Sequence, residues 1–134
     1  MTSPEEHKKA FQQFLEDINE KIRMGLLVDR QKIIGFAVSE AATNLLEYFF
    51  HKKELVSSGF RVNHRYFSSL RKAEEYIPFE FPQKKQILKL MLEQEKYRDL
   101  LCYGKEKDEK RVGEAIIILQ KIKTIITEEL GEEL

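Results

Sequence analysis

The segment from Asp29 to Leu55 constrains the fold most, because its apolar residues cover more of a helix surface than one packing face needs. It predicts a helix of roughly 40 Å that is capped by Asp29, stopped by Ser57-Ser58-Gly59 and placed at the centre of a bundle. Gly35 and its small neighbours would let another helix approach closely. The apolar positions, at helical spacing, are Ile33, Ile34, Phe36, Ala37, Val38, Ala41, Ala42, Leu45, Leu46, Phe49 and Phe50.

A first helix is predicted from Pro4 to Met24. Ser3 can cap it, and proline is tolerated in the first turn, where its missing N–H has no partner to lose. Gly25 ends it. Its single apolar stripe consists of Ala10, Phe11, Phe14, Leu15, Ile18 and Ile22.

Asn63 is predicted to cap a shorter helix that ends before Pro78. Its inward residues are predicted to be Phe67, Leu70 and Ala73. The following stretch, Ile77 to Pro82, reads as an extended connector because residues before proline avoid the helical region. The connector carries two phenylalanines, Phe79 and Phe81, which we expect to plug one end of the bundle.

Two long helices complete the chain. One opens at Pro82 or Gln83, ends at Gly104 and buries Ile87, Leu88, Met91, Leu92, Tyr97, Leu100 and Leu101. The other runs from Arg111 to Leu130 and buries Val112, Ala115, Ile116, Leu119, Ile122, Ile125 and Ile126. Ile117 and Ile118 broaden this last face, so part of it could meet a second subunit.

The predicted fold is therefore all-α, a single domain over residues 1–134 with about five helices in an antiparallel up-and-down bundle. Short loops favour antiparallel neighbours. The acidic stretch from Glu128 to Glu133 is expected to fray.

The overall charge balance points to neither nucleic acid nor a membrane as a partner. Lys plus Arg and Asp plus Glu both number 23, so no global charge attracts nucleic acid or a membrane surface. No run approaches the roughly 18 apolar residues of a membrane span. The single cysteine, Cys102, forbids an internal disulfide, which suits a cytoplasmic location.

No motif predicts a metal or a cofactor. His7, His51 and His64 form no HExxH sequence and have no ligand spacing with Cys102, so surface or capping roles are favoured. Cys102 lies near a helix C-terminus, which raises a thiol pKa, and is predicted to be a buried packing residue. Phosphate-loop and nucleophile-elbow sequences are both missing.

The segment from His51 to Lys72 is locally basic. Six basic side chains face one acid, Glu54, which gives a local net charge of +5. With His64 and Tyr66 interleaved, Arg61 and Arg65 could hold phosphate while an aromatic ring stacks on a base. The alternative is a solvated face balanced by acids elsewhere. The basic residues are Lys52, Lys53, Arg61, Arg65, Arg71 and Lys72.

A second candidate site lies at the end of the penultimate helix. Arg98 and Asp99 are adjacent, and Tyr103 lies four residues after Asp99, on the same helix face. Arginine can bind phosphate and stabilise developing negative charge, and tyrosine can donate a hydrogen bond. The alternative is a local salt bridge beside a core aromatic.

These features resemble the HEPN superfamily, the all-α domains named for higher eukaryotes and prokaryotes nucleotide-binding. The likeness covers about residues 33–130. It rests on the small-residue helix at 36–46, the Gly59 turn followed by His64, the stretch 98–104 and the last amphipathic helix with Glu114-Ala115. The family motif is an arginine, a polar residue, several variable positions and a histidine.

The resemblance places Arg98 on the motif's arginine, Asp99 on the polar position and Tyr103 where histidine would stand. In the family's ribonucleases, arginine and histidine are thought to cleave RNA across a dimer interface. A tyrosine is a poor base near neutral pH. The resemblance thus implies the fold and a homodimer and weakens the case for catalysis. It also implies a nucleotidyltransferase partner in a toxin–antitoxin pair.

Three functions follow from this sequence. The first is a non-catalytic HEPN-like protein that binds a nucleotide, RNA or a protein partner near Arg98, for which Arg98→Ala should remove binding without unfolding. The second is a metal-independent ribonuclease that uses Arg98, Tyr103 and His64. The third is an adaptor without a ligand, which binds another chain through the isoleucine face of its last helix.

Overall fold

The computed structural model describes residues 3–134 and confirms an all-α bundle. The elements are α1 (Pro4–Arg23), α2 (Gln31–Lys52), a 3-10 helix (His64–Ser68), α3 (Leu70–Tyr76), α4 (Lys84–Cys102) and α5 (Glu109–Leu130). Within the described residues, no helix combines the length and the apolar character that crossing a membrane requires.

Helix α2 is the central element, as its wide apolar surface predicts. It packs against α1, α4 and α5 and buries residues on all sides. Two predicted details are wrong. Arg30 rather than Asp29 occupies the N-cap position, and its side chain makes no capping hydrogen bond. The helix ends at Lys52 rather than near Leu55, because Glu54 adopts a left-handed backbone with φ of 55°.

Helices α1 and α2 run antiparallel. His7 near the start of α1 contacts Asn44 late in α2, whereas Phe14 further along α1 meets Phe36 early in α2. The Ser3 cap is confirmed, since its side chain accepts from the backbone N–H of Glu6. Ile22 is predicted to lie on the buried stripe, but it is 43% exposed. The stripe of α1 extends past the surface of α2 against which it packs.

Helices α2 and α4 are also antiparallel, and they approach closely at a glycine. A Cβ added to Gly35 would lie 2.7 Å from Leu101 Cβ and 3.2 Å from Cys102 Sγ. One turn further along, Ser39 of α2 faces Arg98 of α4. The small residue predicted to admit a neighbour therefore fixes where α4 crosses α2.

The predicted third helix is divided into two short helices. Asn63 caps the 3-10 helix, as predicted, and Ser69 adopts an extended backbone and caps α3. Phe67 and Ala73 are buried, but Leu70 is 51% exposed, contrary to the prediction. The break at Ser69 changes the helical phase, so the spacing that placed Leu70 with Phe67 and Ala73 does not hold across it.

Aromatic rings close one end of the bundle. The ring centroid of Phe50 lies 5.0 Å from that of Phe79 and 4.9 Å from that of Phe81, both in edge-to-face arrangements. Phe60 packs against the same group. The predicted role of the connector phenylalanines as a plug is confirmed.

Helix α5 begins slightly earlier than predicted, because Asp108 caps it through the backbone N–H of Arg111. The broad isoleucine face is divided between two environments. Ile118 is buried in the core, whereas Ile117 is 54% exposed.

The acidic end of the chain is held in place rather than frayed. Glu132 accepts hydrogen bonds from Lys8 Nζ at 2.8 Å and from Tyr48 Oη at 2.7 Å. These hydrogen bonds, from Lys8 first, lower the pKa of the Glu132 carboxyl. Burial and the bond to Glu132 raise the pKa of Tyr48. Gly131, in the left-handed conformation, ends α5 and turns Glu132 back toward α1 and α2.

Candidate ligand-binding site

Two of the residues singled out from sequence, Arg98 and His64, belong to one polar cluster between α2, α4 and the 3-10 helix. We call it the Arg98 cluster and define it as Ser39, Glu40, His64, Glu95 and Arg98. Glu95 and Arg98 lie one helical turn apart on α4, so both face the same neighbours.

Arg98 is paired inside the chain. Its Nη1 donates to Ser39 Oγ at 2.9 Å and to Glu40 Oε2 at 3.2 Å. Its guanidinium carbon lies 5.1 Å from the ring centroid of Phe36, which is 44% exposed despite its predicted place in the core. The Arg98 side chain is 14% exposed, and its charge is offset by Glu40. A ligand would have to compete with this pair.

His64 is oriented by a buried carboxylate. Its Nδ1 lies 2.9 Å and 3.0 Å from the two carboxylate oxygens of Glu95, so an Nδ1–H donates to that group. Burial raises the pKa of the Glu95 carboxyl, and the hydrogen bond with His64 opposes that rise. The His64 side chain is 24% exposed, which leaves one edge of the imidazole accessible.

Tyr103 and Asp99 do not join the Arg98 cluster. Tyr103 follows the last residue of α4 in an extended conformation and is 68% exposed. The alternative that it is a core aromatic is therefore wrong. Asp99 is exposed on α4. Asp99 and Tyr103 do not share a helix face as predicted, because α4 ends at Cys102 and no longer holds Tyr103 in helical register with Asp99.

A shallow groove lies next to the cluster, between the 3-10 helix and α4. Its volume is about 330 Å³. Phe67 and Leu92 contribute apolar surface, and Lys96, Asp99 and Glu95 line it with charge. Asp99 therefore faces a surface depression together with a lysine.

The basic residues before and inside the 3-10 helix point outward. Arg61 and Arg65 are exposed, whereas Val62 between them is buried and anchors the segment. Asn63 Oδ1 accepts from the backbone N–H of Arg65 at 2.8 Å and fixes the start of the 3-10 helix. Two exposed guanidinium groups thus flank His64 in the sequence, Arg65 on the 3-10 helix and Arg61 on the segment before it.

Cys102 is half-buried, and its thiol donates to the backbone carbonyl of Lys32 at 3.4 Å. Burial raises the pKa of this thiol, so little reactive thiolate forms near neutral pH. The packing role predicted for Cys102 agrees with this environment, although the thiol is less buried than predicted.

The sequence did not predict a second polar cluster. His7, Asn44, Glu47 and His51 meet between α1 and α2, and we call them the His7 cluster. His7 is 6% exposed, so its predicted surface or capping role is wrong. The one local signal was that Glu47 and His51, four residues apart, share a face of the most buried helix. His7 joins them only through helix packing.

Comparison of the chain with protein-family models, with curated proteins and with solved structures yields no match. The function is therefore inferred from the geometry of the two clusters.

Proposed function

We propose that the protein is a non-catalytic, HEPN-like helical protein that binds RNA or a nucleotide through the basic surface beside the Arg98 cluster. The observation that carries this proposal is the exposure of Arg61 and Arg65 on either side of His64. Exposed guanidinium groups at this spacing can contact successive phosphates. The groove between the 3-10 helix and α4 adds two lysines, Lys89 and Lys96, although three acidic side chains line it as well.

The proposal assigns Arg98 a positioning role rather than a catalytic one. Arg98 holds α4 against Ser39 and Glu40 of α2 and thereby keeps the groove wall in place. The outward direction of Tyr103 leaves the motif without a partner for acid–base chemistry at that end of α4.

The proposed protein is a homodimer, and its dimer contact is formed by the exposed apolar surface on α2. Ile33 is 51% exposed and Phe36 44% exposed, one turn apart on a helix that is mostly buried. Such a patch beside the Arg98 cluster would also suit the nucleotidyltransferase partner that the family resemblance implies.

The test is fluorescence anisotropy with a labelled single-stranded RNA, titrated at several salt concentrations. We expect the double variant Arg61→Ala/Arg65→Ala to bind at least tenfold more weakly and to show a shallower salt dependence, because two phosphate contacts are lost. The matched control is Lys9→Ala/Arg23→Ala, which removes two exposed basic residues of α1. Equal losses in both variants, or no RNA binding by the wild type, would reject the proposal.

Arg98→Ala separates the two roles of that residue. We expect the helical content to be retained and RNA binding to be weakened, because α4, which forms one wall of the groove, then loses its side-chain bonds to Ser39 and Glu40 of α2. Retained wild-type affinity would show that Arg98 serves only the α2–α4 contact.

One observation favours a second function, metal-independent ribonuclease activity. Glu95 binds Nδ1 of His64 and so leaves Nε2 as the nitrogen that can accept a proton, the arrangement in which a carboxylate orients a histidine base. Arg98 lies one turn away on the same helix. Cleavage of the RNA in the presence of EDTA, lost in His64→Ala, would support this function, whereas intact RNA after long incubation with wild type would reject it.

A further inference from the structure

We propose that His7, Glu47 and His51 form a binding site for one Zn²⁺ ion. One ring nitrogen from each histidine and one carboxylate oxygen of Glu47 all lie within 4.8 Å of one another. In a tetrahedral zinc site with ligand bonds near 2.0–2.1 Å, neighbouring ligand atoms are about 3.3 Å apart. Small rotations of three side chains would therefore bring the ligands onto one ion.

The cluster contains polar atoms whose bonding capacity the fold leaves unused. His51 Nε2 and Glu47 Oε2 are buried, and neither makes a hydrogen bond within residues 3–134. Glu47 Oε2 contacts His7 Nε2, but without hydrogen-bond geometry. Buried polar atoms are nearly always satisfied, and each unsatisfied one is costly. A bound cation would satisfy Glu47 and both histidines together.

The surrounding contacts orient His7 as a ligand. Asn44 Nδ2 donates to the backbone carbonyl of Glu40 at 2.8 Å, which fixes the amide and turns its Oδ1 toward His7. His7 Nδ1 lies 2.9 Å from that oxygen and must carry the hydrogen. In the neutral imidazole, Nε2 then carries the lone pair and faces Glu47. A second-shell oxygen that holds the far nitrogen of a histidine is a recurrent feature of zinc sites.

Glu47 is oriented in the same way. The backbone N–H of Val62 donates to Glu47 Oε1 at 2.6 Å, which occupies one oxygen and leaves Oε2 facing His7. The rings of His7 and His51 lie nearly parallel, with an interplanar angle of 7°. Three donors from two helices are thus positioned by contacts that do not involve the proposed ion.

The chemistry of the donors selects the metal. Two imidazoles and one carboxylate suit Zn²⁺, whereas Mg²⁺ and Ca²⁺ prefer oxygen ligands alone. His51 is half-buried as a residue, although its Nε2 and Glu47 Oε2 are buried. Three protein ligands leave the fourth coordination position of the ion for a water molecule, as in catalytic zinc sites.

The test is isothermal titration calorimetry of the full chain with Zn²⁺ after removal of metal by a chelator. We expect one ion per chain and at least a hundredfold loss of affinity in His51→Ala. The matched control, His64→Ala, removes the histidine outside the cluster and should bind as the wild type does. Asn44→Ala should weaken binding about 10- to 100-fold without removing it. Mg²⁺ should not bind.

His51→Ala is chosen because His51 Nε2 makes no hydrogen bond, so its loss should leave the helical content unchanged. Co²⁺ added to the wild type provides a second measurement that needs no variant, and should give the visible absorption bands of a four-coordinate site. Absence of stoichiometric Zn²⁺ binding, equal binding by His51→Ala, or a Co²⁺ spectrum identical to that of the free ion would each overturn the proposal.

Discussion

The Arg98 cluster and the His7 cluster both include residues of α2 and both place a histidine against a glutamate, but they differ in how their polar groups are satisfied. In the Arg98 cluster, Arg98 and Glu95 each have a partner within the chain, and the surrounding surface is open. In the His7 cluster, Glu47 and His51 keep buried atoms without hydrogen bonds.

The difference lies in where each cluster meets α2. The Arg98 cluster occupies the α2–α4 boundary beside exposed side chains, where water screens the charges. The His7 cluster lies between α1 and α2, and its glutamate is 5% exposed. Desolvation makes the His7 cluster a costly arrangement without a ligand, whereas in the Arg98 cluster His64 pairs with the buried Glu95 and Glu40 pairs with Arg98.

The largest expected effect comes from Glu47→Ala. We predict that it lowers the free energy of unfolding by about 2–4 kcal/mol in chelator, because the buried N–H of Val62 loses its acceptor and a cavity remains. The measurement is urea unfolding followed by circular dichroism.

The matched control for this variant is Glu40→Ala, which removes the partner of Arg98 at a side chain that is 30% exposed. We expect it to cost less than about 1 kcal/mol. Similar losses in the two variants would show that burial does not distinguish the clusters.

Gly35→Ala tests the contact that supports the Arg98 cluster. The added Cβ would lie 2.7 Å from Leu101 Cβ, so α2 and α4 must move apart, at a cost of about 1–3 kcal/mol. Gly113→Ala is the control, because its Cβ meets nothing within 4 Å and the helix interior favours alanine. We expect thermal unfolding at a lower temperature for Gly35→Ala and at an equal or higher temperature for Gly113→Ala. The opposite order would contradict a tight α2–α4 contact.

The smallest effect concerns the contacts of Glu132 with Lys8 and Tyr48, the sequence neighbours of His7 and Glu47. The pKa of Glu132 is lowered in the folded state, so its contribution is present above its ordinary value of 4.5 and is lost as the pH falls through the lowered value. Glu132→Gln should therefore be less stable than the wild type near pH 7, and the two should converge in acid. Parallel stability curves over this range would argue against the contact.

The sequence predicts most of the fold because its strongest signals are local. The width of the apolar surface on α2 identifies the central helix, and Ser3, Asn63 and Gly104 mark helix ends or turns. The predictions fail where a helix is interrupted, because the spacing of residues along the chain then no longer fixes which face a side chain occupies. Ser69 breaks the predicted third helix and turns Leu70 outward, and Tyr103 leaves the helical register after Cys102.

The sequence by itself determined the four long helices and the caps at Ser3 and Asn63, because each depends on residues a few positions apart. Only the tertiary structure decided which polar groups meet. His7 and Asn44 are 37 residues apart, and Arg98 and Ser39 are 59 residues apart. The crossing of α1 and α4 over α2 brings them together, and burial leaves Glu47 and His51 with unused bonding capacity while Arg98 finds a partner.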